Sequence, residues 1–378
     1  MIDDPAVLYV AAASADRVGP RTIARLRSEH GTIGVAAEAV VRRREDAARG
    51  AAGAALRAAF APASLRSAAA TVRRWRAECD ALLHPEHPDY PGLLAATHDP
   101  PPLLFVRGRL PATFGPASDR PAVAVVGTRR ATPWALSFAE RLGRDLASAG
   151  VTVVSGLALG VDGAAHRGAL DGDPAGTVAV LGAGFDHLHP PAHRALAHRI
   201  AAGGALVSEH PPDVRARPGS FPRRNRVISG LARALVVVEA PAASGVRHTI
   251  EFALEQGRDV YAVPQRPDSE VGRAATSLLR EGATPLGGAT DLLSDYRLAP
   301  SSEPGSRRAG AGPATAASDA ASSDLARRIL SLLQEVDGAS LDRLIVPPAS
   351  ASVTLAALTE LELAGSVRPD GNGGWRAV

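Results

Sequence analysis

The chain has 378 residues, an apolar fraction of 46% and a formal net charge of +3, which suits two or three soluble domains with a sizeable core and leaves no apolar run long enough for a membrane span. Its single cysteine, Cys79, excludes an intrachain disulfide and a thiolate zinc site and fits a reducing, cytoplasmic setting. It has no lysine, so all 42 basic residues are arginine; this usage is explained by a GC-rich genome, but it confines any phosphate contact to guanidinium groups or backbone amides and removes Schiff-base chemistry.

Residues 1–80 are rich in Ala, Arg and Leu at helical spacing and read as a helical domain. The run Val7–Ala15 has Asp3 and Asp4 where a signal peptide would be basic, so it reads as a buried first helix. In Asp16–Gly31 a turn at Val18-Gly19-Pro20 precedes a helix over Thr22–Arg27. This is the pattern of a helix-hairpin-helix module, whose turn amides can hold a phosphate, and equally of a plain αα-turn. Residues 81–121 form a Pro-rich connector with one short strand, Leu103–Val106.

Residues 122–297 alternate strand and helix. Strands are predicted at Val123–Val126, Val151–Val154, Val178–Leu181, Ala205–Val207, Leu235–Val238 and Val260–Val263, and helices at Ala135–Ser148, Val161–Leu170, Ala192–Ala201 and Thr249–Gln256. Short β-branched runs between amphipathic helices imply an α/β fold, a Rossmann-like, mostly parallel sheet with helices on both faces. A flexible linker is predicted over 298–323. Residues 324–378 read as helices Asp324–Val336, Leu341–Ile345 and Ser352–Ala364 followed by a hairpin, a winged-helix pattern.

Several strand ends carry anion-binding features. Gly127 ends the first strand and lets the backbone approach a ligand, with Arg129 and Arg130 beside it. Ser155–His166 forms a second glycine loop, and its Asp162 and His166, four apart on one helix face, read as a structural hydrogen-bonded pair rather than a metal site. Gly182 and Gly184 mark a third loop without the acidic residue that would bind a ribose. The prolines among His187, His189 and His193 indicate a surface loop. Phe221–Gly230, FPRRNRVISG, packs three arginines next to a parallel strand, and guanidinium forks there point to a polyanionic ligand. Ser244-Gly245 opens a helix near Thr249, a further anion site. No nucleophile elbow, P-loop or zinc-binding helix motif is present.

Taken in order, these residues resemble the DNA-processing protein A (DprA/Smf) family. Tyr90-Pro91, Asp99–Pro102 and Arg107-Gly108 match its connector, and Gly127-Thr128-Arg129 matches its glycine–small–arginine motif. Ser155–Gly160 with Asp162 and His166, Gly182 with Gly184, Ser208-Glu209-His210-Pro211 and Phe221–Leu231 follow, then Glu239, Ser244-Gly245, Thr249 and Gly257-Arg258. The sequence departs from the family at His189-Pro190, at Pro264-Gln265 and at residues 272–277, before Leu278-Leu279.

The resemblance implies a cytoplasmic, non-enzymatic protein that binds single-stranded DNA without sequence preference, dimerises, and loads the RecA recombinase in natural transformation and recombination. No catalytic residue, metal or cofactor is implied. The expected DNA site comprises Gly127, Thr128, Arg129, Ser155, Gly156, Phe221, Arg223, Arg224, Asn225, Arg226, Ser244, Gly245 and Thr249. Arg223 and Arg224 are expected to face solvent, whereas Asn225 and Arg226 hold a loop in shape against a helix Val227–Leu231. Phe221 would stack on a base or anchor the core. The alternative is a nucleotide phosphoribohydrolase-like enzyme on the same sheet, with Ser244, Gly245, Thr249 and Glu251 as its site, although Val246-Arg247-His248 interrupts the glycines that motif needs. The would-be recognition helix Ser352–Ala364 holds Glu360 and Glu362 and no arginine, which favours a protein-contact or regulatory role.

Overall fold

Five helices precede the first strand: α1 (Pro5–Ala13), α2 (Pro20–His30), α3 (Ile33–Val41), α4 (Gly50–Ala59) and α5 (Pro62–Glu78). In this computed structural model residues 4–42 and 50–298 are described, apart from 116–117, 119, 218, 242–243 and 267–268, together with scattered residues between 328 and 377. Helix α1 is buried from Ala6 to Ala12 and is capped by the Asp4 side chain, so the first helix is a core helix as expected, ending at Ala13 rather than Ala15. The turn before α2 lies where it was expected, with Gly19 at the N-cap and Pro20 at the first helical position, where its missing N–H is not needed.

The chain then adds β1 (Ala81–Leu83), α6 (Gly92–Ala95) and β2 (Leu104–Gly108), followed by β3 (Ala122–Val126), α7 (Pro133–Ser148), β4 (Thr152–Ser155), α8 (Val161–Gly172), β5 (Thr177–Leu181), α9 (Arg194–Gly203) and β6 (Ala205–Ser208). It continues through α10 (Ser220–Leu231), β7 (Ala234–Val237), α11 (Val246–Glu255), β8 (Asp259–Ala262), α12 (Arg273–Arg280), β9 (Thr284–Pro285) and α13 (Ala289–Asp295). Every predicted strand and helix of 122–297 is present within a few residues of its expected bounds. The strands form one sheet in the order β1-β2-β6-β5-β4-β3-β7-β8-β9. β3 to β9 are parallel, and β1 and β2, from the Pro-rich stretch, extend the sheet antiparallel from β6.

Strand alternation divides the core. Ala124, Val126, Leu235 and Val237 face Val227, Ile228, Val246 and Ile250 of α10 and α11. Val123, Val125, Val153 and Val236 face Phe138, Leu142, Leu146 and Ala164 of α7 and α8. The N-terminal helices share a third core with Phe105, Leu181 and Ile200. The topology reverses between β3 and β7: from β3 the chain steps outward to β4, β5 and β6, then returns to β7 on the other side. In open α/β sheets that reversal opens a crevice at the carboxyl ends of the strands. No helix among the described residues is long and apolar enough to cross a membrane.

Residues Gly305–Val378 form a separate unit. Its described part contains a helical stretch over 328–333 and a three-stranded antiparallel sheet of β10 (Ala339–Ser340), β11 (Val367–Pro369) and β12 (Gly374–Ala377), in the order β10-β12-β11. The expected hairpin is therefore present as β11–β12. The predicted linker and most of the three predicted helices of this unit lie outside the described residues.

Candidate nucleic-acid interface

A cavity of about 460 Å³ opens at the reversal. Its walls come from the loop after β3 (Gly127, Thr128, Arg129, Arg130), from α10 (Phe221, Pro222, Arg224, Asn225, Ile228) and from the start of α11 (Ser244, Gly245, Val246, Thr249), with Ala158, Asp162 and Pro241 between them.

The β3 loop is fixed by close packing. A Cβ on Gly127 would lie 2.7 Å from the Val161 Cβ and 2.9 Å from the Glu239 carbonyl oxygen, so glycine is required there. The Thr128 N–H donates to that same carbonyl (2.6 Å), and its hydroxyl accepts from the Arg130 N–H (3.1 Å). Glu239 is buried, and its carboxylate accepts from the Thr132 N–H (2.8 Å) and hydroxyl (3.0 Å), tying the start of α7 to the end of β7. The side chains of Arg129 and Arg130 remain exposed at the cavity rim, without an ion-pair partner among the described residues.

Helix α10 revises the reading of FPRRNR. The segment is not a loop followed by a helix; it is the first half of a continuous helix, Ser220–Leu231. Pro222 stands in the first turn, where the N–H it lacks has no intrahelical acceptor. Arg223 is exposed as expected. Arg224 is not: it is buried, donates to the Gly156 carbonyl (2.8 Å) and the Val180 carbonyl, and lines the cavity only in part. Burial lowers its pKa to about 10, opposed by the charge of Asp162 and helped by that of Arg129. The guanidinium thus stays charged at neutral pH and lies within the electrostatic reach of Asp162, which also lines the cavity.

Arg226 is 3% exposed and turned away from the cavity. It pairs with Glu209 and with Asp99 (3.3 Å). Burial raises the Glu209 pKa against the opposing pull of Arg226. Asn225 lines the cavity, accepting from Arg224 Nε (3.2 Å) and donating to the Gly245 carbonyl (3.4 Å).

Phe221 borders the cavity with its ring centroid 5.4 Å from that of His189. It packs so closely on Gly182 that a Cβ there would lie 2.7 Å from its Cδ1. Ser155 is fully buried, and its hydroxyl donates to the Val125 carbonyl (2.6 Å), a tie between strands rather than a ligand contact. Gly156 provides space and a carbonyl for Arg224 rather than an amide for a phosphate. Its N–H donates to Asp162 Oδ2 (3.1 Å), which also accepts from Ala158 N (3.3 Å).

Asp162 and His166 are both buried but do not bond to each other. Burial raises the pKa of Asp162, against the charge of Arg224 and the two amides. His166 Nδ1 instead meets the Thr177 hydroxyl (2.7 Å), which donates to the Val153 carbonyl (2.8 Å). His187, His189 and His193 lie in short turns; His193 Nδ1 donates to the Leu157 carbonyl (3.0 Å). No metal-holding group of His, Cys, Asp or Glu occurs among the described residues. At the departure in the last loop, Gln265 Nε2 donates to the Val238 carbonyl (2.8 Å). Glu251 lies outside the cavity and is held by Arg247 (3.0 Å) and His248 (3.4 Å), whose hydrogen bonds lower its pKa.

Gly127, Thr128, Arg129, Phe221, Arg224, Asn225, Ser244, Gly245 and Thr249 therefore meet around one cavity, whereas Ser155, Gly156, Arg223 and Arg226 lie off its wall. Arg130, Thr132 and Glu239 shape the site and were not among the expected site residues. Arg130 was visible as the second arginine after Gly127. The brace formed by Glu239 and Thr132 had no local sign, because its two ends are far apart in sequence.

Residues 81–297 match the family model described as DNA recombination-mediator protein A. Protein Smf of Synechocystis is 39% identical over 219 residues, covering 58% of this chain and 54% of that protein. The crystal structure of DNA processing protein A from Streptococcus pneumoniae superposes with a TM-score of 0.65 at 26% identity, covering 78% of this chain and 99% of that one. A DNA processing protein A structure from Helicobacter pylori, described for its single-stranded DNA binding mode, gives a TM-score of 0.51 at 28% identity, covering 57% and 95%. The chain spans about half the length of the first curated relatives it matches.

Proposed function

The chain belongs to the DNA recombination-mediator protein A family, and from that premise we propose that it binds single-stranded DNA through the phosphate backbone at the carboxyl ends of β3 and β7. The observation that carries this reading is the pair of exposed guanidinium groups of Arg129 and Arg130, without an ion-pair partner among the described residues, at the rim of a cavity that the buried Arg224 helps to line. The open start of α11 at Gly245 adds backbone donors and the positive end of a helix dipole. Arg223, exposed on the same helix as the cavity wall, would extend the cationic path.

Nothing in this arrangement reads bases by their edges, so the affinity is expected to depend on salt rather than on sequence. In the cell, such a protein would cover incoming single strands, pair with a second copy and hand the strand to RecA in the cytoplasm. The Gly305–Val378 unit, read as a winged helix, would serve protein contact rather than duplex reading.

The test is a titration of the full chain with single- and double-stranded oligonucleotides across a salt series. Arg129→Ala should weaken single-strand binding and reduce the slope of log affinity against log salt by about 0.7, one phosphate contact. An affinity for single strands that does not change with salt would overturn the reading. The rival enzyme reading would need Glu251 to face the cavity, and it does not.

A further inference from the structure

The start of α7 carries a side chain that the cavity does not use. Trp134 is 49% exposed, the only tryptophan among the large apolar side chains left open in the described residues. One face of its indole lies on Phe138, with ring centroids 5.5 Å apart and planes 29° apart. Phe138 is itself buried in the core beneath α7, and the Arg141 guanidinium lies 5.7 Å from its ring. The indole is thus a flat ring with a rigid backing and a free outer face. Buried or half-buried aromatics need no explanation, but an indole held open in this way is the form of a stacking surface.

Its position connects it to the proposed DNA path. Trp134 follows Arg130 by four residues, a stretch of chain that spans at most about 14 Å. Thr132, between them, is clamped by Glu239, so the backbone that carries the two side chains is held in place. On the other side of the arginine turn Leu159 is 43% exposed, and its neighbour Gly160 abuts the Arg129 backbone so closely that a Cβ there would lie 2.9 Å from the Arg129 carbonyl carbon. Two isolated apolar side chains beside exposed cations do not make a protein-docking patch, which would be larger and more continuously apolar. They do match a single strand, whose phosphates seek cations and whose bases present flat faces.

We propose that Trp134 is a base-stacking residue that leads the strand out of the cavity over the start of α7, with a nucleobase on the indole face opposite Phe138 and the adjoining phosphate on Arg130. This rests on the backbone-binding reading above, and the test separates the two. Full-length protein, Trp134→Ala and Trp134→Phe are titrated with an oligothymidylate and with an abasic strand of the same length and charge. Trp134→Ala should bind the oligothymidylate about tenfold more weakly, bind the abasic strand as the unmodified protein does, and keep its salt slope. Trp134→Phe should recover most of the affinity while losing much of the tryptophan quenching expected of the unmodified protein on binding.

Equal oligothymidylate affinity in Trp134→Ala would overturn the proposal and leave the backbone reading standing. Equal loss for both strands, or a change of oligomeric state in Trp134→Ala by gel filtration, would also overturn it, showing the ring to be structural or an interface between copies. Failure of the unmodified protein to bind either strand would overturn both readings.

Discussion

Arg224 and Arg226 stand two residues apart on one helix, about 200° around its axis, and their environments differ accordingly. Arg224 points under the glycine loop and bonds to carbonyls of the sheet, whereas Arg226 points toward two carboxylates from distant segments. The arginine cluster was legible in the sequence as a phosphate-binding feature. Which of its members are free to bind phosphate was not, because their partners, Gly156, Val180, Asp99 and Glu209, lie far along the chain. The same limit applies to His166. Its spacing from Asp162 suggested a pair, but tertiary packing gave each a different partner.

His166 also makes a titration signature at this scale. Because the Thr177 hydroxyl donates to the Val153 carbonyl, His166 Nδ1 must be the donor to Thr177, which fixes the neutral tautomer. Burial lowers its pKa from 6.5 to about 3, with His193 and Arg224 adding to the shift. The unfolded chain therefore takes up this proton first as pH falls. The stabilisation is fully present above pH 6.5 and is lost as pH falls from there toward 3, at up to about 1.4 kcal/mol per pH unit. Thermal melts between pH 7 and 4 should show this decline, and His166→Gln should flatten it at some cost in stability at pH 7.

Helix α10 shows what can be read at the level of an element. Its apolar second half, Val227–Leu231, was expected to be helical, but Pro222 and the run of arginines suggested a loop before it. A proline in the first turn costs no hydrogen bond, and burial of Arg224 and Arg226 against fixed acceptors holds that turn in place. The Asp99–Arg226–Glu209 group is the second anchor of this element: it fastens α10 to the segment after α6 and to the end of β6. Removing the cation leaves two carboxylates facing each other out of water, so Arg226→Met should destabilise the protein by about 3–5 kcal/mol at pH 7. The penalty should shrink at pH 5, because the pKa of Glu209, already raised by burial, rises further without Arg226 and the carboxyl takes up a proton. Urea denaturation at the two pH values checks both statements.

At the scale of the whole molecule, the alternation of strand and helix over 122–297 identified the parallel sheet and six of its seven strands from sequence alone; the two-residue β9 was not predicted. Of the two antiparallel strands, β2 was expected at Leu103–Val106, whereas β1 was not. Their register is set by β6, and short runs such as Ala81–Leu83 carry no periodic signal of their own. All three large cores lie within Met1–Pro304, and the fourth lies wholly within Gly305–Val378. A chain ending at Pro304 keeps every described residue that lines the cavity. It should melt within a few degrees of the main transition of the full chain and retain its single-strand affinity, as calorimetry and the same titration would show.

The antiparallel edge also sets an order of events during synthesis. β1 and β2 leave the ribosome early and can pair with each other, but the other side of β2 has no partner until Ala205–Ser208 has been made, since Phe105 pairs with Ser208 and Gly108 with Ala205. Until then the β1–β2 pair exposes an unsatisfied strand edge carrying Phe105 and Val106. Closure of that edge is a long-range step with a large loop entropy. The slow phase of refolding should therefore report the docking of β6 onto β2, after the local helical structure has formed.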